Sequence, residues 1–168
     1  MVLLVAVAGV IIWFWWPDAN KLTRYASRGD VVGVRLSLTH GVDPNEPSRW
    51  GWRQESVGQT PLAAAAQFGR VDVVRLLLVN GADPNLRDSD SEFPHETPLS
   101  TAAMIGQLEV ARVLLEAGAD PNIPTNPKHS GDPGGWTALD WALQAKHDAV
   151  AGLLRQYGAL EGRRRGGG

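Results

Sequence analysis

The 168-residue chain contains no cysteine. That absence excludes a disulfide framework, a thiolate nucleophile, a cysteine-based zinc site and a lipid-modified cysteine. An excess of positive charge is missing too. Sixteen Lys and Arg against eighteen Asp and Glu leave a formal charge of −2, so no overall basic field exists to hold nucleic acid. The four histidines, His40, His95, His129 and His147, show no metal-ligand spacing. No G-x-S-x-G, no phosphate-cradling G-x-x-x-x-G-K-S/T and no H-E-x-x-H occurs in the sequence. The composition that is left, 43% hydrophobic and 20% charged residues, is globular. The expectation is a non-catalytic module with no cofactor and no metal site.

Residues 1–16, MVLLVAVAGVIIWFWW, differ from the rest in carrying no charged or strongly polar side chain. As a helix they would be about 24 Å long, against a hydrocarbon core of about 30 Å. Trp13, Trp15 and Trp16 close the run, where amphipathic rings favour the headgroup level. Pro17 then ends the apolar stretch. The run reads as a single-pass membrane anchor, with residues 17–19 as a short linker. Its rivals are a cleaved signal peptide and a buried core helix. Against the signal peptide, no positive segment precedes the run, and Trp and Pro stand where small residues would mark a cleavage site. Lys21, Arg24, Arg28 and Arg35 come soon after it, which leans the remainder toward the cytoplasmic side of a membrane. The same cations also read as the solvated face of their own helical segment, and the side is left open.

The remainder repeats. Gly58–Asn85 (GQTPLAAAAQFGRVDVVRLLLVNGADPN) and His95–Asn122 (HETPLSTAAMIGQLEVARVLLEAGADPN) align without a gap. In each, the Thr of T-P-L precedes the Gly of G-A-D-P-N by 21 residues (81 − 60 and 118 − 97). The same ruler fits Asn20 to Gly41 and Thr137 to Gly158, making four copies over 20–160: about 20–57, 58–94, 95–134 and 135–160. Within a copy, Thr60 and Thr97 are suited to cap a helix, with Pro61 and Pro98 at its first position. Gly69 and Gly106 suit a left-handed close. Val73, Leu76 and Leu77, then Val110, Val113 and Leu114, recur at the spacing of a second helix's buried stripe. Asp-Pro-Asn after Gly81 and Gly118 predicts an outward turn.

These residues resemble the ankyrin repeat, whose TPL-x-x-AA…G…VV-x-x-LL…GAD-x-N pattern the middle copies match. The resemblance implies an all-α class: an ankyrin-repeat α-solenoid of helix–turn–helix units with projecting hairpin-like fingers, here preceded by one apolar helix. Two end copies depart from the pattern. The last has Lys146 for the inter-helix Gly, and Arg155 and Gln156 where inner copies have Leu78 and Val79. The first has Asn20, Lys21 and Ser37 in place of Thr, Pro and Leu. Both read as solubilising caps. Residues 161–168, EGRRRGGG, read as a frayed tail.

Function is expected in the fingers. The family's 33-residue period leaves 12 residues from the closing Gly to the next Thr. Here the gaps are 19, 16 and 19 (60 − 41, 97 − 81, 137 − 118), so every finger is enlarged. The first carries Trp50 and Trp52 flanked by Arg49 and Arg53, residue types frequent at interface hot spots. The second is acidic, with Asp88, Asp90 and Glu92 beside Phe93, and reads as a solvated loop rather than a cation site. The third, rich in Pro and Gly, holds Lys128 and His129. Arg49, Trp50, Trp52, Arg53, Phe93, Lys128 and His129 form the candidate partner-binding set; folding of the aromatics back onto the neighbouring finger, to support a long loop, is the alternative. Trp136 and Trp141 are expected to pack within the last repeat. The reading is a membrane-tethered module binding a protein partner, with no nucleic acid and no small-molecule substrate. An accessory subunit of a membrane complex, held by the apolar helix, is the alternative function.

Overall fold

A computed structural model of the chain describes residues 19–48, 58–88, 96–125 and 135–160. Among them are eight helices and no strand: α1 (Ala19–Arg28), α2 (Val31–Thr39), α3 (Pro61–Gln67), α4 (Val71–Val79), α5 (Pro98–Ile105), α6 (Leu108–Glu116), α7 (Ala138–Gln144) and α8 (Asp148–Gln156). They form four helix–turn–helix pairs. The first helices stack in the order α1, α3, α5, α7, and the second helices stack beside them as α2, α4, α6, α8. Helices of seven to ten residues are too short to persist alone in water. Stacking is therefore what stabilises each pair, as in repeat proteins generally.

Local chemistry sets the boundaries. The Thr60 hydroxyl accepts the Ala63 N–H at 3.2 Å and the Thr97 hydroxyl accepts the Ser100 N–H at 3.2 Å. Pro61 and Pro98 occupy the first turn. Thr137 adds a reciprocal box, its N–H donating to Asp140 Oδ2 at 2.9 Å. Leu22, Leu62, Leu99 and Leu139 lie at one register of the first helices and are buried, as are Val34, Val74, Leu77, Leu114 and Leu154 of the second. Between successive first helices the filler is alanine: Ala65, Ala66, Ala102, Ala103 and Ala142 have almost no exposed surface. A methyl side chain lets two helices approach closely without leaving a void.

The inter-helix turns explain why glycine is used in three repeats and lysine in the fourth. Gly106 has φ of +86°, and a Cβ there would meet the His147 ring of the next repeat at 2.7 Å. Gly69 stands in the same relation to Gln107, at 2.6 Å, and Gly29 to Arg70, at 3.0 Å. Lys146 also has a positive φ of 61°, but no further repeat comes after it among the described residues. A side chain is thus sterically admitted there, at the cost of left-handed strain.

The two ends match the sequence expectation only at Arg155. Arg155 is exposed in the register of half-buried Leu78 and buried Leu115, which makes it a polar cap. Gln156 is not part of that exchange, because Val79 in its register is itself 85% exposed. At the other end Ser37 is no surface substitution: it is buried and donates to the Gly33 carbonyl at 2.9 Å. The first pair is closed instead by a size exchange. Tyr25 stands in the register of Ala65, Ala102 and Ala142, and Gly33 in that of Val73, Val110 and Val150. A Cβ on Gly33 would lie 2.6 Å from the Tyr25 ring, so the ring occupies the space the valine leaves.

Candidate functional site

The fingers leave the stack at three stems of equivalent register. In the first, Ser48 N–H donates to the Gln59 carbonyl (2.9 Å) and Gly58 N–H to the Ser48 carbonyl (2.7 Å). In the second, Asp88 N–H donates to the Glu96 carbonyl (3.2 Å). The third pairs Thr125 N–H with the Trp136 carbonyl (2.8 Å), reinforced by the Thr125 hydroxyl (3.1 Å). Ser48, Asp88 and Thr125 are all buried. Each loop is therefore clamped directly against the N-cap of a first helix, at Thr60, Thr97 and Thr137. Arg49, Trp50, Trp52, Arg53, Phe93, Lys128 and His129 sit beyond these clamps and lie outside the described residues, as do Trp13, Trp15 and Trp16.

Side chains at the stems differ in chemistry. Beside the first, the Gln59 amide donates to Gln67 Oε1 at 2.8 Å. At the third, Trp136 and Trp141 meet edge to face with centroids 4.7 Å apart, and the Trp141 indole donates to Thr125 Oγ1 at 3.4 Å. Packing of both rings within the last repeat thus matches expectation. The second stem is acidic and buried. Asp88 Oδ1 accepts both the Thr60 N–H (2.8 Å) and the Thr60 hydroxyl (3.1 Å) at the start of α3 in its own repeat. This corrects the solvated reading of Asp88: its carboxylate caps a neighbouring helix. Glu96 is 5% exposed, accepts the Thr101 hydroxyl at 3.1 Å through Oε2, and has no partner for Oε1. Burial raises its pKa from 4.5 to about 7, the Thr101 hydrogen bond opposing and the Asp88 charge adding to the shift.

Below the stems, asparagine sews the repeats together. Asn85 Nδ2 donates to the Gly118 carbonyl (3.3 Å), while its Oδ1 accepts the Asp120 N–H (2.7 Å). Asn45 does the same to Gly81 (3.0 Å) and Asp83 (2.7 Å), and Asn122 to Gly158 (3.3 Å) and Leu160 (2.8 Å). The aspartates make the turn itself, Asp83 Oδ1 accepting the Asn85 N–H at 2.8 Å. Sequence reasoning assigned the whole Asp-Pro-Asn to turn chemistry and missed this second role. Its recurrence at one position in three copies was the available signal. The result is a stack locked at its turns, from which the finger stems project in register.

No group of three or more His, Asp or Glu among the described residues is placed to hold a metal ion, and no helix among them is long and apolar enough to cross a membrane. The exposed first-helix side offers Phe68 and Ile105, equivalent positions in adjacent repeats.

Comparison with known proteins places the pattern. Residues 57–89 match the family described as Ankyrin repeat, and residues 89–162 match Ankyrin repeats (3 copies); together they cover more than half of the chain. Among curated relatives, 2-5A-dependent ribonuclease from Mus musculus is 42% identical over 78 residues, 46% of this chain and 10% of the ribonuclease. Cyclin-dependent kinase 4 inhibitor B from Bos taurus is 42% identical over 71 residues, 42% of this chain and 47% of that protein. Cyclin-dependent kinase inhibitor 2A from Homo sapiens is 38% identical over 72 residues, 43% of this chain and 41% of that one. The matched stretch therefore spans less than half the length of each relative.

Proposed function

This chain belongs to the ankyrin-repeat family, and from that premise we propose that it is a non-catalytic, membrane-tethered module that binds a partner protein through its first-helix face and enlarged fingers. Ankyrin repeats mediate protein–protein interaction, and two of the relatives are named as inhibitors of a kinase. The ribonuclease is an enzyme by name, but the shared stretch is a tenth of it. The observation that carries the reading is the repeated clamp at Ser48–Gln59, Asp88–Glu96 and Thr125–Trp136. Stems held at fixed spacing by a rigid stack lower the ordering cost of binding at these positions. Trp50 and Trp52, with Arg49 and Arg53, are the proposed anchors; Phe93, Lys128 and His129 complete the surface. The tether is the apolar run 1–16, with Trp13, Trp15 and Trp16 at the headgroup level, and its flanking cations favour the cytoplasmic side.

Affinity capture from native cell extract tests the binding half, using the full chain in mild detergent against the Trp50→Ala/Trp52→Ala variant. A protein held by the intact chain and released by the equally helical variant is the expected result. Equal retention by both removes the tryptophan anchors from the reading. Sedimentation with lipid vesicles tests the tether, and a chain that stays in the supernatant refutes it.

A further inference from the structure

The ends of the stack differ in charge. At its far end, the last pair presents Arg155 and also exposes Leu143, Tyr157 and Leu160. Toward the preceding side, the first pair presents Val32 and Leu36, which are 77% and 57% exposed. The register explains the exposure. Leu76 is half-buried there, and Val113 and Leu153 are buried, and each of their helices packs on the second helix before it. Leu36 has no such helix among the described residues. Val32 stands where α4 and α6 carry Asp72 and Glu109, so an acidic, solvated position has become apolar. Tyr25 covers part of this end by lying over Gly33, and it leaves the Val32–Leu36 stripe open.

Charge is concentrated at the same end. The first pair, residues 19–40, holds Lys21, Arg24, Arg28 and Arg35 against the single acid Asp30, whose side chain caps Gly33. Residues 58–80 hold two cations and one acid, residues 96–118 one cation and three acids, and residues 135–158 two of each. Arg35 is exposed on the stripe between Val32 and Leu36. Exposed aliphatic side chains on α2, beside Arg35 and in a helix pair of net positive charge, suit the boundary of an anionic bilayer. Three occupants compete. Residues 1–16 have no acid to answer the arginines, and a second copy of this face would oppose like charges. Anionic headgroups supply both the counter-charge and the apolar boundary.

We propose that the α1–α2 end of the first repeat docks on an anionic lipid surface, with Val32 and Leu36 in the headgroup boundary, Tyr25 beside them and Arg35 on lipid phosphates. The inference rests on the tether reading, because only Pro17 and Asp18 separate the apolar run from α1. Docking fixes the direction of the stack relative to the bilayer, so that the three finger stems are held at set heights above it.

The absence of cysteine makes the test clean. Val32→Cys, Leu36→Cys and, as a control on α4, Val79→Cys are introduced singly into the full chain and labelled with an environment-sensitive fluorophore. Each is compared in buffer, with phosphatidylcholine vesicles, and with vesicles containing phosphatidylserine. The expected result is a blue shift and a several-fold fall in acrylamide quenching at positions 32 and 36 on phosphatidylserine vesicles, with position 79 unchanged. Sedimentation with vesicles while 32 and 36 quench like 79 overturns the docking and leaves the tether. Failure to sediment overturns both. Protection already present in buffer overturns the docking in favour of residues 1–16 or a second copy as the cover. Unchanged helical circular dichroism confirms that each labelled variant is folded.

Discussion

Replacing Gly106 by Ala separates two costs that glycine hides at the inter-helix turn. The first is conformational: φ is +86°, and an L-residue held there loses about 1–2 kcal/mol. The second is steric and belongs to the neighbouring repeat, since the new Cβ would stand 2.7 Å from the His147 ring; overpacking of this kind costs about 1–3 kcal/mol. Gly118 isolates the first term, because its φ is +90° and nothing lies within 4 Å of a Cβ there. Gly118→Ala should therefore lose about 1–2 kcal/mol and Gly106→Ala about 2–5 kcal/mol. His147 makes no side-chain capping bond, so His147→Ala alone should cost less than about 1 kcal/mol. The double variant Gly106→Ala/His147→Ala should then fall back to the Gly118→Ala level, a coupling of about 1–3 kcal/mol. Urea unfolding followed by circular dichroism measures all four, provided the m-values stay equal. Equal losses for the two glycine variants, or no coupling in the double variant, would refute the assignment of glycine to inter-repeat clearance.

Other consequences rest on the same contacts. Lys146→Gly removes left-handed strain with no neighbour to disturb, and should raise the urea midpoint by the equivalent of about 1 kcal/mol. Asn85→Ala deletes two hydrogen bonds between repeats and should cost about 1–3 kcal/mol, with proteolysis showing the second and third repeats separating more readily. In the first pair, Gly33→Val should destabilise strongly by meeting the Tyr25 ring, and Tyr25→Ala in the same chain should relieve it; a double variant no better than Gly33→Val would contradict the size exchange. Glu96 binds its proton more tightly folded than unfolded, so its contribution is complete below pH 4.5 and is lost as the pH rises to about 7. At about 1.4 kcal/mol per pKa unit the loss is on the order of 3 kcal/mol, and Glu96→Gln should flatten that limb of the stability profile.

Features that depend only on neighbours within one repeat were legible in the amino-acid order. Thr60, Pro61, Gly69 and the Val73–Leu77 stripe fix the start, turn and buried face of their helices through bonds that reach three or four residues. A 21-residue ruler applied four times was therefore enough to find the four helix pairs among the described residues, including the two irregular ends. It also marked three enlarged loops, which hold the seven side chains of the proposed partner surface. Their stems were not legible, because backbone pairing between residues 48 and 59, or 125 and 136, requires no particular side chain. Contacts between repeats were settled by the stacking alone. The Asn85 bridge, the Gly106 contact with His147 and the apolar end at Val32 and Leu36 all depend on what the adjacent repeat does or does not cover. A repeating sequence fixes the unit, but the partner of each exposed group is set by where stacking brings the next unit, or leaves none.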